Sequence, residues 1–112
     1  MESTISNEYR TRGGVMMDMS NYRISEEEIK KILNVYFEGG RLKQIPKKEK
    51  KRMITLVYIS KNFQKGKYYN EKEVNEVLKD IFDDFVMIRR YLIDYNLLNR
   101  NKEGTRYWVV DP

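Results

Sequence analysis

The 112-residue sequence predicts a small α+β domain, mainly helical, that closes on a β-hairpin. Three observations carry this expectation. Apolar residues recur at helical spacing in successive stretches, at Ile29, Ile32, Leu33, Tyr36 and Phe37, then at Met53, Leu56 and Val57, then at Val74, Val77, Leu78, Ile81 and Phe82. Two of these stretches open on a capping-box pair, Ser25 with Glu28 and Asn70 with Glu73. Finally, Asp83 to Val110 reads as a short amphipathic helix running into Asn96, a polar turn at Asn101–Gly104, and a strand-like run on each side of that turn. That last order is the second half of a winged helix, so the expected architecture is a winged helix-turn-helix with an additional N-terminal helix and a C-terminal hairpin wing. In such domains the last helix enters a groove of DNA and the hairpin grips the flanking backbone.

Length and composition bound the answer. A chain of 112 residues can bury one core but not two independent ones. With 40% hydrophobic and 12% aromatic residues it is expected to be globular. It has no Cys and no His, which excludes disulfides, thiolate zinc sites, Cys or His nucleophiles and imidazole acid–base chemistry. No apolar run approaches the roughly 20 residues of a membrane span. The start, with Glu2 and Glu8, lacks the basic-then-apolar order of a secretory signal. The expectation is a soluble cytoplasmic protein.

The net charge of +5 is segregated along the chain. Arg41 to Lys67 holds ten basic residues and one acid, Glu49, whereas Glu71 to Met87 holds two basic residues and six acids. So dense a basic segment either serves a polyanion or forms the solvated face of a lysine-rich helix.

Residues 1–24, rich in Ser, Thr, Asn, Gly and Met, show no period and are expected to form a flexible tail; the domain itself is expected over residues 25–112. The helix capped by Ser25 is expected to run through Phe37 and to end at Gly39-Gly40, which readily take a left-handed cap conformation. Arg41 to Ile45 alternates polar and apolar as an edge strand would. Pro46 then suits a first helical turn, which places the second helix from Pro46 to about Asn62 with Met53, Leu56, Val57, Ser60 and Phe63 inward. Lys47, Lys48, Lys50 and Lys51 around its start oppose the helix dipole, which points either to phosphate contact or to solubility.

Gln64 to Lys67 is expected as a turn, Tyr68-Tyr69 as a short strand, and the helix capped by Asn70 as the first of the helix-turn-helix. Asp83-Asp84 would make its turn and cap the next helix. In that helix, 84–95, a 100° step puts Phe85, Ile88, Leu92 and Tyr95 on the core side and Val86, Met87, Arg90 and Asp94 opposite. Arg90 is therefore expected in solvent, able to reach a base edge or a phosphate, and Arg89 beside the core, paired with Asp80 or Asp84. Leu97 and Leu98 would begin the hairpin, and Thr105 to Val109 has the β-branched and aromatic content of its returning strand. Trp108 is expected as a core anchor in preference to a base-stacking platform.

From about Glu26 to Val109 the sequence resembles a small prokaryotic family designated domain of unknown function 2087, found alone or appended to proteins classed as transcriptional regulators. The resemblance rests on Gly40-Arg41-Leu42-Lys43 with Ile45-Pro46-Lys47-Lys48 and Lys51, and on Phe63 with the run Gly66 to Asn75. It continues through Asp83-Asp84-Phe85, the runs Ile88 to Leu92 and Asp94 to Leu98, and Arg100, Gly104 and Tyr107-Trp108. It implies a winged-helix-like fold and a regulatory role, but no known ligand or reaction. A looser similarity joins Ile88 to Leu92 with the recognition helix of ArsR-like repressors. The helix is about a turn shorter here and the metal-binding Cys ligands of that group are missing, so metal sensing is not implied.

The function expected from the sequence is DNA binding, as a transcriptional regulator or accessory factor, through Arg90 and Met87 on the last helix. Lys102, Arg106 and Arg100 on the wing and Lys47, Lys48, Lys51 and Lys72 on the scaffold are the expected backbone contacts. The partner is double-stranded DNA, with a homodimer through the first helix as a possibility, and no metal, cofactor, membrane or catalysis. Asp83, Asp84 and Glu73 are better read as helix caps than as general acids. The alternative is a protein-interaction or dimerisation module on the same scaffold, using the Val86, Met87 and Ile93 surface.

Overall fold

The computed structural model describes residues 24–110, so the tail expected over residues 1–24 lies, apart from Ile24, outside the described residues. Helix α1 spans Glu26–Tyr36. The Ser25 hydroxyl accepts the Glu28 N–H at 3.1 Å, as the spacing predicts. The Glu28 carboxylate, expected to reach back to the cap, instead meets Lys50 Nζ at 2.6 Å and ties α1 to the next helix. Ile29 and Ile32 are the buried residues of α1.

Its end differs from expectation. Phe37–Glu38 forms strand β1, which pairs antiparallel with β2, Arg41–Leu42. Gly39 and Gly40 have φ of +58° and +82°. They are the two-residue turn of a hairpin, which requires positive φ at both central positions, and not a helix cap. The edge strand expected to reach Ile45 stops at Leu42, whose N–H donates to the Ile81 carbonyl at 2.8 Å and pins the hairpin to a distant turn.

Helix α2 spans Glu49–Ser60, shorter at both ends than the expected 46–62. Pro46 is buried but precedes the helix, because the Pro46 and Lys47 carbonyls turn to accept from Arg52 Nη1 at 3.2 and 2.9 Å. Lys47 and Lys48 therefore lie ahead of the first turn, and Glu49 occupies it. Met53, Leu56, Val57, Ser60 and Phe63 are buried as expected, but so are Ile54, Thr55 and Ile59. α2 is the central helix of the core.

Tyr69 forms an isolated bridge with Tyr107. Helix α3, Glu71–Lys79, opens on the full capping box of Asn70 and Glu73, with both bonds made, at 2.8 and 2.9 Å. It ends before Ile81 and Phe82, whose amides both donate to the Leu78 carbonyl as the chain turns. Helix α4, Phe85–Asp94, is capped by Asp84, which accepts the Met87 N–H at 3.2 Å. Ile88 and Leu92 are fully buried.

The helix ends on Asn96, in the left-handed region at φ +61°. The Asn96 and Leu97 amides donate to the Ile93 and Leu92 carbonyls at 3.0 and 2.8 Å. These two bonds are the Schellman pattern, and they reverse the chain into the last hairpin.

Strands β3, Leu98–Arg100, and β4, Tyr107–Val109, pair with Leu98 opposite Val109 and Arg100 opposite Tyr107. At the tip the Asn101 carboxamide oxygen accepts from the Thr105 and Arg106 amides at 2.9 and 3.1 Å, and Gly104 takes φ +74°. The Tyr69 bridge lies on the other edge of β4. This register sends Tyr107 and Val109 inward and leaves Trp108 half-buried on the outer face, edge-on to Tyr68 at 5.6 Å between ring centres. Trp108 is thus not the core anchor expected, since strand side chains alternate and Tyr107 holds the inward place. The buried residues of all four helices and the second hairpin form one core.

Candidate nucleic-acid interface

Helix α4 has one side in the core and the other in solvent. Val86 and Met87 are 44% and 43% exposed, and Arg90 and Asp94 are also exposed. Ile93, expected with them, is half-buried, because it lies at the flank of the stripe and not at its centre. Asp84, Val86, Met87, Arg90, Tyr91 and Asp94 line a shallow groove of about 380 Å³. The acids at the start of the helix are both engaged. Asp84 caps the backbone, and Asp83 accepts from Arg41 Nη2 at 2.8 Å while remaining 98% exposed. Arg41 Nη1 also donates to the Lys79 and Asp80 carbonyls at 3.2 and 3.0 Å, so one guanidinium satisfies the end of α3 and holds the turn before α4.

One flank of α4 carries Tyr91 and Tyr95, which meet edge-on. Arg52 of α2 reaches across to them: Nε donates to the Tyr95 hydroxyl at 2.9 Å, and the guanidinium carbon sits 5.4 Å from the Tyr91 ring centre. The bond to Tyr95 raises the Arg52 pKa above its ordinary value; partial burial opposes this. Because Nη1 of the same group holds the Pro46 and Lys47 carbonyls, the segment bearing Lys47 and Lys48 is fastened beside this flank. Lys47 and Lys48 are exposed and Lys51 is half-buried.

The other flank faces the hairpin. Arg89 is half-buried, as expected, but its partners are not Asp80 or Asp84. It donates to the Asn75 carboxamide oxygen and lies 3.8 Å from a Glu71 oxygen. The middle of α4 packs beside the first turns of α3, where Glu71 and Asn75 stand, while Asp80 and Asp84 belong to the turn at the far end. The Tyr107 hydroxyl adds a 3.4 Å contact to Glu71. Glu71, Arg89, Arg90, Ile93, Asp94, Arg100 and Tyr107 line a second concavity of about 330 Å³.

Of the residues the sequence singles out, Arg90, Met87 and Arg100 surround these two concavities, and Lys47, Lys48 and Lys51 are on the segment tied to the tyrosine flank. Lys72 is exposed beside Glu71 at the start of α3, and Lys102 is exposed at the hairpin tip. Arg106 is drawn away: its guanidinium lies 5.1 Å over the Tyr68 ring, on the outer face of the hairpin with Trp108. Sequence reasoning missed Arg41, Arg52 and Asn75. Arg41 and Arg52 sit in the dense basic run, where nothing in spacing separates a structural arginine from a solvated one, and Asn75 is an ordinary polar position on a helix.

The architecture defines a small α+β domain, mainly helical, with two antiparallel hairpins. Residues 41–109 match the family model described as "Uncharacterized protein conserved in bacteria (DUF2087)", and the chain belongs to this family. The matched segment leaves α1 and β1 outside. No curated protein and no solved structure matches the chain. Among the described residues no helix is long and apolar enough to cross a membrane, and no group of three or more acids could hold a metal ion.

Proposed function

We propose that this chain is a winged-helix protein that binds double-stranded DNA, as a transcriptional regulator or an accessory DNA-binding factor. Helix α4 enters the major groove with Arg90 at its centre, and the β3–β4 hairpin lies along the flanking backbone as the wing. The observation that carries this reading is the placement of positive charge around one exposed helix face: Arg90 on the face, Lys47 and Lys48 on one flank, Arg100 and Lys102 on the other. The winged-helix assignment draws on the order α2, α3, α4 and hairpin, with Tyr69 of the α2–α3 connection bridged to β4. Asp83 and Asp84 weaken it less than their position implies, since Arg41 and a helix N-terminus take up their charge. A homodimer would use α1, where Val35 is exposed.

The test is duplex DNA affinity measured against salt for the wild type, Arg90→Ala and Lys102→Ala. A steep fall with salt, lessened in both variants, is the expected result. Absence of binding at low salt would overturn the reading.

The exposure of Val86 and Met87 beside Tyr91 in the apolar groove favours a second reading, a protein-interaction or dimerisation module without DNA contact. Concentration-dependent self-association that persists at high salt and is lost in Met87→Ser, with no duplex binding, would establish it.

A further inference from the structure

The concavity between α4 and β3 holds more positive charge than its own contacts use. Three arginines, Arg89, Arg90 and Arg100, share its lining with two acids, Glu71 and Asp94. Arg89 is committed: its side chain is only 16% exposed, Asn75 accepts from it, and Glu71 lies 3.8 Å away. Glu71 is taken up in turn, between Arg89 and the Tyr107 hydroxyl at 3.4 Å.

Arg90 and Arg100 are different. Among the described residues neither guanidinium forms a hydrogen bond or an ion pair. Arg100 is nevertheless placed, because its Nη1 lies over Gly104, 2.7 Å from where a Cβ would stand. Strand β3 and the helix thus bring two arginines with uncommitted guanidinium groups to one cavity, beside a third that is already fixed. The lining holds three arginines against two acids, of which Glu71 is already taken up, so positive charge is in excess, and the planar fork of arginine matches the oxygens of a phosphate.

We propose that this concavity seats a phosphate group between Arg90 and Arg100, with Arg89 as a positioning residue beside them. On duplex DNA that group is a backbone phosphate, and holding it sets the register of α4 in the groove. The proposal rests on the DNA-binding reading for the source of the phosphate; the site itself rests on the cavity.

Two measurements on the full chain separate site from source. In the first, arginine side-chain NMR signals are followed while inorganic phosphate is added against sodium chloride of matched ionic strength. Saturable shifts at Arg90 and Arg100, absent with chloride and lost in Arg100→Gln, are expected. In the second, duplex affinity is measured against salt concentration. Arg100→Gln should weaken binding about tenfold near 0.1 M salt and lower the magnitude of the salt slope by about 0.9, the share of one phosphate. Arg100→Lys should keep the slope and lose part of the affinity, because the charge remains and the fork does not. Arg89→Gln should abolish the saturable phosphate shift; should it fail to fold, the Arg100 pair still decides.

A steep wild-type slope left unchanged by Arg100→Gln, with no saturable phosphate shift, would overturn the site and leave the DNA-binding reading standing. A saturable shift without duplex binding would overturn that reading and give the site to a free phosphate ester.

Discussion

Seven of the twelve residues of α2 are buried, whereas α4 buries only Ile88 and Leu92 of its ten. The two helices are similar in length and both contain arginine, yet their burial differs. α2 has α1 on one side and α4 on another, and only Glu49 and Tyr58 of its residues are exposed. Its two buried hydroxyls are satisfied within the helix, Thr55 donating to the Arg52 carbonyl and Ser60 to the Val57 carbonyl, at 2.8 and 2.7 Å. α4 packs against α2, α3 and β3 on one side only, and its other side keeps Arg90 and Met87 in solvent. A helix enclosed by its neighbours supports the fold, and one covered on a single side is available for binding.

The contrast is sharpest in two arginines. The Arg52 side chain has three oxygen partners and two aromatic neighbours. The Arg90 side chain has no partner among the described residues.

The largest effect on stability is expected at Ile54, fully buried on the side of α2 that helical spacing alone would leave outside. Ile54→Ala should cost about 2–5 kcal/mol in urea unfolding. A loss below about 1 kcal/mol would mean that α2 is not enclosed.

Arg52→Ala comes next. It removes a charged donor from Tyr95 and from two carbonyls, and should cost about 1–2 kcal/mol after allowance for partial exposure. Arg52→Lys should recover less than half, since one ammonium cannot span three acceptors. The raised pKa also fixes a sign: the contribution is complete below the unfolded value and is lost only as pH rises through the still higher folded one. The stability difference between wild type and Arg52→Ala should therefore be equal at about pH 6 and about pH 9. A difference that changed between them would implicate another group.

The smallest effect on stability belongs to α4's outer face. Arg90→Ala and Met87→Ser should each stay within about 0.5 kcal/mol of wild type. A larger loss at Arg90 would mean that it is structural after all and would remove the central residue of the proposed interface.

Local signals were legible where they act over a few residues. The capping box at Asn70 and Glu73, the Asp84 cap and the inward stripe of Ile88 and Leu92 all follow from spacing and are all present. The strand pair around Asn101–Gly104 was equally clear, since its tip demands residues tolerant of positive φ. Gly39-Gly40 shows the limit: two glycines end a helix or turn a hairpin equally well, and the choice fell to the pairing of Phe37 with Leu42.

The sequence by itself determined which stretches are helical, where three of them are capped, and that a polar turn lies between the last two strands, because those outcomes depend on backbone groups a few positions apart. Tertiary structure decided that Arg52 fastens α2 to α4 while Arg90 stays uncommitted, that Arg89 meets Asn75, and that Trp108 lies outside while Tyr107 lies within. Each of those partners is far away along the chain or across a strand register. Identical arginine side chains acquire different roles only when packing sets which acceptors come within hydrogen-bond reach.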